Sequence, residues 1–164
     1  ENTRLVEEEA AFLGGVPSAT AGLRSEVPVP SVRPGALASL RVPLPEARIA
    51  LVTASGAYLA GQMPFDRAGD HSFREIPGDT PPERIAFASG GYDHSDVNRD
   101  PECMLPLAAL RELAGQGRIG SAAATHIGFQ GGGGDPDRIR GELALAVIDR
   151  LRAMHADAVL LTGG

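Results

Sequence analysis

The residues between 90 and 103 form the densest group of side chains that can do chemistry in this sequence. An imidazole between carboxylates can exchange protons with a substrate near neutral pH, and such a group can also hold a hard metal ion. Asp and Asn side chains also cap backbone N–H groups in turns, which is the structural alternative. We assign no metal ligands. The candidates from this segment are Asp93, His94 and Asp96 as catalytic residues and Tyr92 as a substrate-binding residue.

A second candidate group begins at His126, which ends a stretch of small residues and precedes four glycines at 131–134. A polar side chain at such a place can donate to a substrate carboxylate, although a lone histidine is more often structural. The glycines precede Asp135-Pro136 at a predicted helix start, where exposed backbone N–H groups can hold an anion. The predictions are His126 as catalytic, and Phe129, Gly131, Gly132 and Gly133 as substrate-binding.

Arg74 lies in a second polar segment and is the best candidate for a bidentate clamp on a substrate carboxylate. The alternative is a surface pair with a neighbouring glutamate, which contributes little energy. Cys103 precedes a predicted helix, where the helix dipole can make a thiol reactive. A single cysteine is usually a small buried hydrophobic residue, and we favour that interpretation.

Composition excludes several classes of function. The 164 residues carry a net charge of −6, which argues against nucleic acid and anionic membrane as partners. All basic residues are arginine, so no lysine can form a Schiff base, bind phosphate in a P-loop or act as a base. One cysteine excludes an internal disulfide, and the cytoplasm is therefore the expected compartment. No apolar stretch approaches the ~18 residues of a membrane span.

The elements that must position these residues follow from the hydrophobic pattern. Residues 1–46 are predicted as a short acidic helix followed by an extended, Pro-rich arm. Residues 47–164 are predicted as an α/β domain with a mostly parallel, Rossmann- or flavodoxin-like sheet flanked by helices. The predicted strands are 47–58, 71–77 (a short edge strand), 84–96, 121–130 and 157–162, and the predicted helices are 104–115 and 136 to about 155.

Polar side chains collect at the carboxyl ends of these predicted strands, which is where α/β sheets bind ligands. The last strand, 157–162, leads into no further element, and two clear helices are thin cover for four or five strands. We therefore expect the domain to be incomplete, and to be completed by further residues or by a partner chain.

Four segments together resemble one known family: GDHSFREIPGD, YDHSDVNRD, HIGFQGGGGD and DAVLLTGG. They are similar to the small subunit of D-proline reductase and to selenoprotein B of glycine, sarcosine and betaine reductases, over roughly residues 47–164. The resemblance implies reductive cleavage of a substrate C–N bond by a complex that a dithiol reduces. It also implies a selenocysteine or cysteine directly after Gly164 as the nucleophile, and a pyruvoyl group on a partner subunit. Thr162, Gly163 and Gly164 are then substrate-binding residues.

This chain itself carries no cofactor and lacks that nucleophile, so it is expected to be inactive alone. Its expected partners are an amino-acid or betaine-like substrate and the pyruvoyl-bearing subunit, in a homo- or hetero-oligomer. Two alternatives remain open. One is a scaffold that binds a small carboxylate without catalysis. The other is an enzyme similar to aspartate and glutamate racemases, which would need a second thiol opposite the expected cysteine or selenocysteine, and Cys103 is the only candidate for it.

Overall fold

The computed structural model describes residues 38–66, 69–88, 93–132 and 134–163. The predicted N-terminal helix and most of the predicted Pro-rich arm lie outside these ranges, as do Tyr92, Gly133 and Gly164. The boundary between residues 46 and 47 therefore stays a prediction. A 3-10 turn at Leu44–Glu46 already contacts the sheet, because Gly120 donates its N–H to the carbonyl of Leu44 at 3.2 Å.

A mostly parallel sheet forms the centre of the described fold. Its strands are β1 (Arg48–Thr53), β3 (Phe73–Pro77), β5 (Ser121–Ala122), β6 (Thr125–Phe129) and β7 (Ala158–Thr162). β1 pairs in parallel with β5 and β6 along one side and with β7 along the other. β3 is antiparallel to β6 and forms an edge, as its short alternating sequence predicted. The prediction of a mostly parallel α/β sheet is confirmed, whereas the Rossmann or flavodoxin likeness stays a prediction.

The sequence predicted a strand of the main sheet within residues 84–96, and this prediction is wrong, because the strand found there belongs to another sheet. Residues Ile85–Phe87 form β4, which pairs antiparallel with β2 (Ala57–Leu59) in a separate two-stranded sheet. The chain turns out of β1 at Gly56, whose φ of 75° favours glycine. Ala88 then donates to the Gly56 carbonyl at 3.0 Å, so this turn supplies β4 with a partner outside the main sheet.

Among the described residues, three helices pack around the sheet. They are α1 (Ser95–Arg99), α2 (Leu107–Gly115) and α3, whose successive parts are an α-helical turn Pro136–Arg138, a π-helical part Ile139–Leu143 and an α-helix Ala144–Ala153. α3 begins where the sequence predicted, because the Asp135 carboxylate accepts the N–H of Asp137 at 2.9 Å and Pro136 needs no acceptor. Within the described ranges, no helix has the length and apolar character to cross a membrane.

Alternation along β1 sends its side chains into two apolar clusters. The larger cluster lies beneath α1, α2 and the small sheet and includes Ile49, Leu51, Ile76, Phe87, Val97, Leu105, Leu107 and Leu110. The smaller lies beneath α3 and is built from Val52, Ile127, Leu143 and Val147. Both faces of the central strand are therefore covered, which fixes the carboxyl ends of β1 and β6 in place.

Candidate functional site

Ala54 joins the carboxyl ends of three strands. Its backbone N–H donates to the carbonyl of Thr162 at 2.9 Å, and its own carbonyl accepts the N–H of Gly131 at 2.9 Å. Next to it, Gly56 donates to the carbonyl of Phe129 at 2.9 Å. The end of β7 and the start of the glycine run therefore lie on either side of one residue. The structure thus brings Phe129, Gly131 and Thr162 together, as expected for the ends of parallel strands.

The Thr162 side chain anchors the end of β7 to a second element. Its hydroxyl donates to the carbonyl of Met104 at 2.7 Å, directly after the 3-10 turn Pro101–Cys103 that follows α1. Cys103 in this turn is exposed, so the interpretation of it as a small buried hydrophobic residue is wrong. A side chain added at the next residue, Gly163, would meet no atom of the described residues within 4 Å. The end of β7 is therefore anchored at Thr162, and the described part of the chain leaves space beside Gly163.

Three buried polar residues at these strand ends were missed by the sequence analysis. Thr53 and Ser55 are 0% exposed, and their hydroxyls form a hydrogen bond of 2.8 Å. Gln130 is 3% exposed and donates its side-chain amide to the carbonyl of Gly132 at 3.1 Å. Burying polar groups is costly unless they are hydrogen-bonded. The hydrogen bonds of these side chains therefore stabilise a polar environment at this end of the sheet. The sequence signal that could have identified them is a polar residue at or directly after the end of a buried apolar strand.

His126 lies inside the sheet, with 1% of its surface exposed. Its Nδ1 accepts the backbone N–H of Leu51 at 3.0 Å. Burial, together with the positive charge of Arg111, lowers the pKa of His126 to about 4, so the ring is neutral at pH 7. It stands three residues before Phe129, or about 10 Å along the strand, and its accepting nitrogen is already used.

The Arg74 guanidinium is engaged within the protein, and its side chain is only 15% exposed. It donates from Nε to the carbonyl of Met63 at 2.9 Å and from Nη1 to the Ser72 hydroxyl at 2.6 Å. It also stacks 4.3 Å from the centre of the Phe65 ring and lies 3.7 Å from the Asp70 carboxylate. These contacts tie the loop between β2 and β3 to the sheet edge.

The predicted acid–base residues gather at the start of α1. Asp93 accepts the N–H of Ser95 at 2.9 Å and its hydroxyl at 2.7 Å, and these bonds lower the pKa of the Asp93 carboxyl. Asp96 is exposed and pairs with Arg99 one turn later. His94 is half-buried and precedes the first helical residue. Both aspartates bond to residues within one helical turn, so Asp93, His94 and Asp96 lie together because they are close in sequence.

His71 is a further residue that the sequence analysis missed. Its Nε2 accepts the backbone N–H of Asp135 at 2.9 Å, and a side chain at Gly134 would lie 3.1 Å from the same atom. The imidazole thereby fixes the point where the glycine run enters α3. Among the described residues, no group of three or more His, Cys, Asp or Glu side chains is arranged to hold a metal ion.

Comparison with known proteins gives three findings. The family model for glycine/sarcosine/betaine reductase selenoprotein B matches residues 21–164. D-proline reductase subunit gamma of Acetoanaerobium sticklandii is 41% identical over 143 residues, which cover 87% of this chain and 59% of that protein. Glycine reductase complex component B subunit gamma of Carboxydothermus hydrogenoformans is 30% identical over 125 residues, which cover 73% of this chain and 28% of that protein. No solved structure gives a significant match.

Proposed function

The chain belongs to the selenoprotein B family of glycine, sarcosine and betaine reductases, and from this premise we propose that it forms part of a reductase that cleaves the C–N bond of a small amino acid. D-proline is the first substrate to test, because the 41% identity to a D-proline reductase subunit exceeds the 30% identity to a glycine reductase subunit. The chain spans 59% of the first relative and 28% of the second, so we propose that it works with further polypeptide.

In the proposed reaction the bond between the α-carbon and the amine nitrogen breaks, and the substrate gains two electrons and two protons. A dithiol supplies the electrons and leaves as a disulfide, so D-proline would open to 5-aminopentanoate. A selenocysteine or cysteine beyond Gly164 would supply the nucleophile, and a pyruvoyl group on a partner subunit the electron sink. The open space at Gly163 and the anchored hydroxyl of Thr162 fit a reactive residue at that place.

The bridge through Ala54 carries the proposal. It holds the end of β7 and the start of the glycine run one strand apart, so a substrate carboxylate at the glycines would lie near a nucleophile beyond Gly164. The N–H of Gly131 donates to the carbonyl of Ala54 and is not available to a substrate. We therefore propose that carboxylate binding begins at Gly132, which is exposed and has space around its Cα among the described residues.

His94 is our choice for proton transfer. The other predicted histidine, His126, is neutral, buried and bonded to Leu51, so we propose that it positions β1 against β6. Arg74 is likewise proposed to position the loop between β2 and β3. Asp93 and Asp96 remain candidates that orient the start of α1 and influence the charge around His94.

The test is turnover by the complete gene product, produced together with its partner subunits. D-proline, glycine betaine and sarcosine are each supplied with a dithiol, and the products are identified by mass spectrometry. We expect turnover, and a loss of ~10²-fold or more in kcat for His94→Ala. Asn98→Ala, an exposed change on the same helix, is the matched control and should keep activity.

Two outcomes would overturn the proposal. One is calorimetric binding of a substrate without any turnover in the assembled complex, which would favour the non-catalytic scaffold. The other is a mature gene product that carries neither selenocysteine nor cysteine beyond Gly164, as seen by mass spectrometry of the native protein.

A further inference from the structure

The strand β7 exposes more apolar surface than any other strand described. Val159, Leu160 and Leu161 are 37%, 47% and 73% exposed, although they stand in the middle of an apolar strand. Contact between water and so much apolar side chain is unfavourable, because the hydrophobic effect scales with the exposed apolar area. Contiguous exposed apolar patches of this kind mark interaction surfaces.

Two of these side chains continue into an apolar groove between β7 and α3. This β7–α3 groove has a volume of about 370 Å³, and its lining includes Val52, Leu143, Ile148, Leu151, Val159 and Leu161. Ile148 is itself 41% exposed on the helix side. The groove thus continues the apolar cluster beneath α3 out to the edge of the sheet.

The backbone edge of β7 is also open to a partner. The carbonyl of Thr162 accepts the N–H of Ala54, directly after β1, and the parallel register pairs every residue of β7 with one of β1. Because backbone groups alternate along a strand, the N–H and C=O groups of Val159 and Leu161 point away from β1. No strand of the described residues pairs with that edge. An edge with free donors and acceptors beside an apolar groove fits an added β-strand.

The comparisons indicate what supplies that strand. About two-fifths of the D-proline reductase subunit, and more of the glycine reductase subunit, has no counterpart in this chain. A strand parallel to β7 requires a crossover, usually helical, that packs on one face of the sheet. Such a unit offers both the backbone partner for β7 and the apolar side chains for the groove.

We propose that the β7–α3 groove and the free edge of β7 form the docking site for a strand–helix unit from the part of the family polypeptide that this chain does not span. The strand extends the sheet beside β7, and the apolar face of the helix fills the groove. Docking there would also stiffen the end of β7, which Thr162 anchors from the other side. This inference concerns assembly and does not depend on the proposed reaction.

The test uses this chain and, as the probe, the segment of the Acetoanaerobium sticklandii subunit that has no counterpart in it. The segment is supplied both as a separate polypeptide and joined covalently to this chain. Amide hydrogen exchange should slow at least tenfold at Val159 and Leu161 when the segment is present. Leu161→Asp should weaken binding of the separate segment at least tenfold, whereas Met63→Asp, at a 79% exposed apolar site elsewhere, should leave it unchanged.

Two results would overturn the proposal. If neither the added nor the joined segment slows exchange at Val159 and Leu161, the segment does not dock there. If this chain alone forms a dimer in sedimentation equilibrium that Leu161→Asp dissociates, the surface binds a second copy instead. Circular dichroism of both aspartate variants checks that the fold is retained.

Discussion

The Nδ1 atom of His126 lies 3.0 Å from the backbone nitrogen of Leu51 and accepts its hydrogen, so a side chain replaces a carbonyl in the parallel ladder. The replacement is needed because β5 ends at Ala122 and β6 begins at Thr125, which interrupts the backbone pairing with β1. Leu51 is 0% exposed and His126 is 1% exposed. Without the imidazole, the buried N–H of Leu51 would have no acceptor, which is costly in a core strand.

Replacing His126 by alanine should therefore destabilise the fold strongly. We expect a loss of about 2–4 kcal/mol in the free energy of unfolding, from an unsatisfied N–H and a cavity. His126→Asn keeps an acceptor oxygen at the position of Nδ1 and should lose clearly less. Urea unfolding of both variants measures the difference, with the exposed His155→Asn as control, because asparagine tolerates the positive φ of residue 155. Equal losses for alanine and asparagine would show that the hydrogen bond to Leu51 contributes nothing.

The same histidine predicts a pH dependence of stability. Burial and the Arg111 charge lower the pKa of folded His126 from 6.5 to about 4. Between these values the unfolded chain binds a proton that the folded chain does not, so this contribution to stability is complete above pH 6.5 and is lost as the pH falls towards 4. The loss amounts to about 3 kcal/mol by pH 4, at ~1.4 kcal/mol for each unit of the shift between 6.5 and about 4.

The measurement compares the wild type with His126→Asn between pH 7 and 4.5. Carboxylates titrate in both proteins, so the difference between the two curves isolates the histidine. The wild type should lose more stability than the variant as the pH falls. Parallel curves would mean that His126 titrates equally in the folded and unfolded chains.

The place of His126 shows what could be predicted from the sequence and what could not. Its position beside a strand of small residues and a glycine run was predictable, because both are local patterns. The direction of its side chain was not, since it depends on the interruption at Ala123 and Ala124 and on the neighbouring strand β1. The mostly parallel sheet, the edge strand β3 and the start of α3 follow from periodicity and capping, and the structure contains them.

The misassigned strand and the occupied arginine have the same physical origin. The apolar sequence of β4 is typical of a buried parallel strand. However, the chain turns at Gly56, so that β2 leaves the main sheet and pairs with β4. Arg74 has the chemistry of a carboxylate clamp, but the carbonyl of Met63 and the ring of Phe65 take up its guanidinium. Residues outside the local pattern determine both the pairing of β4 and the contacts of the Arg74 guanidinium, and a single sequence does not specify them. The substrate clamp at Arg74 itself stays a prediction.

Replacement by alanine should strongly destabilise the protein at Gly128 and have almost no effect on stability at Gly132. A Cβ at Gly128 would lie 2.0 Å from the carbonyl oxygen of Ala57, which no side-chain adjustment can relieve. A Cβ at Gly132 would meet no atom of the described residues within 4 Å. Gly128→Ala should therefore cost about 3 kcal/mol or prevent folding, whereas Gly132→Ala should stay within about 0.5 kcal/mol of the wild type. Thermal unfolding by circular dichroism checks both, and a stable Gly128→Ala protein would contradict the close contact of β6 with β2.

Arg74→Lys separates a positioning role from a substrate clamp. Lysine keeps the charge but loses the planar donors that reach Met63 and Ser72 and the stacking on Phe65. We expect a loss of about 1–2 kcal/mol in unfolding free energy, while Arg118→Lys, an exposed control, should change it by less than about 0.5 kcal/mol. A variant with unchanged stability but a selectively raised KM in the assembled reductase would instead support the clamp.

The hydroxyl of Thr162 should matter more than its methyl group. Thr162→Val keeps the volume but removes the 2.7 Å bond to the carbonyl of Met104, so we expect a loss of about 1 kcal/mol in unfolding free energy. Thr162→Ser retains the hydroxyl and should restore most of this bond. Because the bond fixes the end of β7, amide exchange at Gly163 should accelerate in the valine variant and remain near the wild-type rate in the serine variant. Equal exchange rates in all three proteins would show that β1 alone holds this strand end, through the bond from Ala54 to Thr162.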